Sequence, residues 1–88
     1  MAAKHALKQS HAGYFTLNLN KGVSLEDIPK NDVTIEDNSI AINGKIEKIK
    51  NGFQFSVNGK TFTFYYDQVK SIENHYGAIL WKNWHKKV

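Results

Sequence analysis

The chain has 88 residues and a formal net charge of +4, its basic side chains are all lysine, and it contains no cysteine. A domain of this size buries only about 60–65% of the surface its unfolded chain exposes, and without cysteine neither disulfides nor a thiolate-held metal can supplement its one small core. Lysine is a hydrated point charge without the planar fork that grips guanine edges, so the absence of arginine argues against a dedicated sequence-reading nucleic-acid protein.

The first thirteen residues are basic and lack the continuous apolar stretch of a signal peptide. They are expected to be a flexible or frayed segment ahead of a single mainly-β domain over residues 14–88. The strictly apolar run Ala78-Ile79-Leu80-Trp81 falls far short of the roughly 20 residues that span a bilayer. No membrane partner is expected, and the lack of disulfides in so small a domain points to the cytoplasm.

From Tyr14 to Asn20 the sequence alternates Phe15, Leu17 and Leu19 with Thr16 and Asn18, the period of a half-buried strand. Val23 to Pro29 follows, with Ser24 as a helix-start signal that Pro29 stops after about one turn. It reads as a structured connection across the end of the sheet. Asp37-Asn38 predicts a hairpin loop that sets Ile35 opposite Ile40 and Val33 opposite Ile42.

Three Asn-Gly pairs then occur at Asn43-Gly44, Asn51-Gly52 and Asn58-Gly59, between stretches rich in Ile, Val and Phe. Both residues accept positive φ cheaply, so the spacing predicts a β-meander. A two-residue loop at Asn58-Gly59 places Phe55 opposite Phe62 and Phe53 opposite Phe64, with Gln54, Ser56, Thr61 and Thr63 on the other face. The two earlier pairs fit three-residue loops, with Ile42 opposite Ile46 and Ile49 opposite Phe53. The three-residue step from Ile46 to Ile49 then calls for a bulge or bend near Glu47-Lys48.

After Tyr66 strict alternation fails. Asp67 can cap a short helix carrying Val69, Ile72 and Tyr76 on one face and stopped by Gly77; the competing reading makes Val69–Glu73 a strand, and the failed alternation favours the helix. The fold class expected is thus mainly β: an antiparallel meander of five or six strands forming a curved sheet or half-barrel, with that short helix and a C-terminal aromatic segment packing on it. The meander leading into Val69-Lys70-Ser71-Ile72-Glu73 resembles bacterial pleckstrin-like modules in pattern, and the resemblance transfers no site residue.

The most suggestive segment for binding is Trp81-Lys82-Asn83-Trp84-His85-Lys86-Lys87. Interleaved aromatics and positive charge can stack bases and neutralise phosphates, or anchor a protein partner, while the competing reading has the Trp residues closing the core. Trp81, Lys82, Trp84, His85, Lys86 and Lys87 are therefore the candidate binding residues. Lys45, Lys48 and Lys50, with Lys60, form a basic rim around the turns that either binds an acidic partner or discourages edge-to-edge aggregation.

His5, His11, His75 and His85 are not spaced as a ligand set, and Asp27, Asp32 and Asp37 sit where turns ordinarily use Asp. No metal, cofactor or catalytic residue is expected. The function expected is that of a non-catalytic interaction module, a small accessory or regulatory protein that binds a larger protein. The alternative is weak, sequence-tolerant nucleic-acid binding through the basic aromatic tail, and an edge strand could pair with its own copy to form a homo-oligomer.

Overall fold

The computed structural model describes residues 10–83. Seven strands occupy most of that span: β1 Ser10–Leu19, β2 Thr34–Glu36, β3 Ser39–Ile49, β4 Gly52–Val57, β5 Lys60–Tyr65, β6 Val69–Asn74 and β7 Ile79–Lys82. They form one antiparallel sheet in the order β5-β4-β3-β1-β6-β7, with β2 also paired to β3, and the sheet is open, its path ending at β5 and β7. No helix among the described residues is long and apolar enough to cross a membrane.

The sheet curls around its apolar face. In a flat sheet β4 and β7 would stand four strand spacings, about 19 Å, apart; here the rings of Phe53 and Trp81 lie 5.0 Å apart, edge to face. Alternating residues of every long strand meet in one cluster: Phe15, Leu17 and Leu19 from β1, Ile40, Ile42 and Ile46 from β3, and Phe53, Phe55, Phe62 and Phe64 from the β4–β5 hairpin. Residues 20–33 lay Val23, Leu25, Ile28 and Val33 against it. Local bonds stiffen that connection, with the Glu26 N–H donating to Ser24 Oγ (3.2 Å) and the Asp32 N–H to the Pro29 carbonyl (2.9 Å).

The β4–β5 hairpin has the predicted register, Phe55 opposite Phe62 and Phe53 opposite Phe64. Asn58 and Gly59 both take positive φ, 53° and 81°, as a tight two-residue turn requires. Ile35 likewise faces Ile40 across a turn in which Asp37 has φ 57°; that ladder stops at Thr34, so Val33 lies outside it.

Four expectations are corrected. Asn43-Gly44 is not a turn: β3 runs straight through it, and Gly44 faces Gly13 of β1. Gly44 is needed for closeness, because a Cβ there would overlap the carbonyl oxygen of Ser56. It marks the place where the edge of β3 passes from β2 to β4. Second, the next turn is Lys50-Asn51, with Asn51 at φ 69°, so Ile49 faces Gly52 rather than Phe53. Third, no bulge occurs near Glu47-Lys48; the β3–β4 register is unbroken, and Ile49 simply points out, 36% exposed.

Fourth, the helix after Tyr66 is only a 3-10 turn, Tyr66–Gln68, followed by strand β6. The reason is a bulge. Val69 faces Leu19 and Ser71 faces Asn18, leaving Lys70 as the extra residue, so Val69 and Ile72 both reach the core although they are three apart. A bulged strand thereby copies helical spacing. β7 repeats the device: Ile72 faces Trp81 and Glu73 faces Ile79, and the extra residue Leu80 is buried beside Trp81. At the other end of the domain β1 begins at Ser10, ahead of the Tyr14 where alternation becomes visible, because Ser10–Gly13 pair with Gly44–Glu47.

Candidate interaction surface

The outer face of the sheet is polar, and its centre is tied by side chains. Ser39 Oγ donates to Asn18 Oδ1 (2.6 Å), and Asn18 Nδ2 donates to Ser71 Oγ (3.0 Å) and to Glu73 Oε2 (3.4 Å). This chain of bonds crosses β3, β1 and β6 and lines a hollow of about 540 Å³. The Asn18 amide is engaged at both its oxygen and its nitrogen, so the arrangement fastens β3, β1 and β6 to one another. Among the described residues no three His, Cys, Asp or Glu side chains gather as metal ligands.

At the tip of the β4–β5 hairpin, Asp32 accepts from Lys60 Nζ (2.7 Å) and from Asn58 Nδ2 (2.8 Å). The Lys60 bond above all, then the Asn58 bond, holds the Asp32 carboxyl below its ordinary value, against a smaller upward push from burial. The pair ties residues 20–33 to the hairpin.

The opposite end of the hairpin is aromatic. Tyr65 and Tyr66 are 52% and 37% exposed and, with Asn51 and Asp67, line a shallow hollow of about 500 Å³. Ile49, Gly52 and Tyr65 form one row across β3, β4 and β5, so the exposed Ile49 and Tyr65 flank a residue with no side chain. Tyr66 is fixed from behind: its ring stacks on Trp81 at 5.6 Å and 17° and meets Phe53 edge to face at 5.3 Å. The Gln68 side chain accepts the Tyr65 N–H (2.8 Å), and Asn83 Nδ2 donates to the Tyr66 carbonyl (3.3 Å).

No protein-family model, curated protein or solved structure matches this chain.

The residues singled out in the sequence are scattered. Trp81 is a core residue, 9% exposed, and supports Tyr66. Lys82 is exposed on β7 opposite Ser71, on the rim of the polar hollow. Trp84, His85, Lys86 and Lys87 lie outside the described residues. Lys45 is on the outer face and pairs with Glu47 (3.7 Å). Lys48 is half-buried opposite Phe53, and Lys50 sits in the turn before Asn51. Lys48 and Lys50 thus share the aromatic end, whereas Lys60 is at the far tip of the hairpin with Asp32. Tyr65 was legible as outward-facing from the hairpin register; the seat of Tyr66 on Trp81, fifteen residues away, carries no local signal.

Proposed function

We propose that this chain is a non-catalytic interaction module, a small accessory or regulatory protein that engages a larger protein through its aromatic end. The observation that carries the reading is the pair Tyr65 and Tyr66, exposed beside one hollow, with the Tyr66 ring backed by Trp81 and Phe53 and the Tyr65 backbone N–H fixed by Gln68. Tyrosines lose little conformational freedom on binding and are enriched among residues that dominate interface energy, the more so when their backing is already ordered. Ile49 extends the apolar area, and Lys50 adds a positive rim that favours an acidic partner surface. The proposed role of Trp81 is that of support rather than contact.

The test is capture with the intact chain as bait, compared with Tyr65→Ala and Ile49→Ala, two outward-facing changes that leave the core whole. The reading expects a partner retained by the parent chain and weakened about tenfold or more by Tyr65→Ala, with unchanged far-ultraviolet circular dichroism. Equal retention by all three baits would refute it.

The second reading, sequence-tolerant nucleic-acid binding, has one favourable observation: Lys48 and Lys50 stand at the same end as two exposed tyrosines, the combination that stacks bases beside neutralised phosphates. It predicts an affinity for mixed oligonucleotides that falls steeply between low salt and about 200 mM, because lysine–phosphate contacts release counterions. Binding insensitive to salt, or absent at low salt, would eliminate it.

A further inference from the structure

Among the described residues strand β5 ends the sheet and is hydrogen-bonded to β4 alone. Its two-residue turn makes Val57 and Lys60 the bonded pair nearest the loop, so Lys60, Phe62 and Phe64 direct their backbone groups at β4. The bond from the Tyr66 N–H to the Asn51 carbonyl (2.9 Å) continues this phase. Thr61, Thr63 and Tyr65 consequently turn their N–H and C=O groups to the outside edge. At Tyr65 that edge is closed, since its N–H is already donated to Gln68. Two residues remain, Thr61 and Thr63, placed symmetrically about Phe62.

Exposed edges are ordinarily defended by proline, bulges or charged side chains, lysine above all. β5 reads Lys-Thr-Phe-Thr-Phe-Tyr: it has no proline, its register with β4 is regular, and its one charged side chain, Lys60, stands at the turn end and is paired with Asp32.

We propose that β5 pairs antiparallel with β5 of a second copy of this chain about a two-fold axis through Phe62, Thr61 of each copy opposite Thr63 of the other. This register exchanges four backbone bonds and uses each outward group between the turn and the Gln68 cap. It also suits the charge. Lys60 falls opposite Phe64 of the second copy, four residues or about 13 Å from the other Lys60, beyond the screening length of about 8 Å in physiological salt. Phe62 and Phe64 are each only 5% exposed, buried in their own core, so the edge offers backbone bonds but no apolar seat to select a foreign side chain. Self-pairing needs no such seat. The inference is independent of the aromatic end.

Charge placed at positions 61 and 63 tests both the pairing and its register, and both side chains lie on the polar outer face, where the fold tolerates them. Sedimentation equilibrium of the parent chain should give a mass approaching twice that of one chain. Thr61→Lys with Thr63→Lys puts like charges opposite each other twice and should raise the dissociation constant about tenfold or more. Thr61→Lys with Thr63→Glu sets opposite charges across the same two positions and should restore the dimer, with all three chains giving the same circular dichroism. A parent chain that stays monomeric throughout would overturn the proposal, as would a dimer indifferent to the double lysine. Failure of the lysine–glutamate chain to recover would overturn the register.

Discussion

Replacing Trp81 is the sharpest test of how this domain holds together. A Trp side chain buries about 200 Å², and at 9% exposure nearly all of it is covered here. At about 25 cal/mol per Å² that is about 5 kcal/mol, and allowing for residual burial in the unfolded chain lowers it to about 3–4.5 kcal/mol. Trp81→Ala should therefore cost about 3–5 kcal/mol, in line with large-to-small changes in cores. The whole domain is worth only about 4–13 kcal/mol on a per-residue scale, so this variant loses a large share of its stability, and all of it at the low end of that range. Trp81→Leu, a smaller truncation that leaves an apolar side chain in the site and so costs less than alanine, keeps enough stability for quantitative work. Urea unfolding followed by circular dichroism gives both values. A cycle with Tyr66→Ala should then reveal coupling of about 0.5–1.5 kcal/mol between the stacked rings. An unchanged midpoint for Trp81→Leu with no coupling to Tyr66 would refute the assignment of Trp81 to the core.

Two further predictions concern backbone packing and acid stability. A Cβ on Gly52 would lie 2.5 Å from the Phe64 carbonyl oxygen and 2.8 Å from Tyr65 Cα, both backbone of β5, so Gly52→Ala should push the strands apart and cost about 1–3 kcal/mol in urea unfolding; a shift under about 0.5 kcal/mol, the ordinary range for surface changes, would show that the contact yields freely. The lowered pKa of Asp32 stabilises the fold above the ordinary value of 3.8, and that contribution is lost as pH falls through the lower folded-state value. Asp32→Asn should accordingly be less stable than the parent chain at neutral pH and converge with it in acid, and a stability difference independent of pH would contradict the assignment.

The β4–β5 hairpin could be written from the sequence residue by residue, because Asn58-Gly59 fixes the loop length and the loop length fixes which phenylalanines meet. Gly44 misled for a physical reason: glycine is used both where φ is positive and where no Cβ fits, and the Asn before it suggests only the first use. The second depends on how closely Ser56 approaches from another strand, which no local pattern records. β6 misled because the bulge at Lys70 restores the inward direction after three residues rather than two. Of the candidate surface, the outward face of Tyr65 followed from register alone, and Lys50 from its place in a turn. The support of Tyr66 by Trp81 did not, since it exists only once the sheet has curled far enough to bring β7 beneath β4.

The position of β1 has a consequence for the order of folding. It is the first strand among the described residues, yet it lies between β3 and β6, with Ser10 opposite Glu47 and Leu17 opposite Ile72. The hairpins from β3 to β5 close loops of two residues and can form on the microsecond scale typical of isolated hairpins, about 1–10 μs. β1 must instead wait for partners 21–37 positions along the chain in β3 and 50–59 positions along in β6, and such distant pairings slow folding. During synthesis its second edge stays unsatisfied until Val69–Asn74 has emerged, so the local meander is the natural nucleus and β1 the strand whose docking commits the chain to its native sheet.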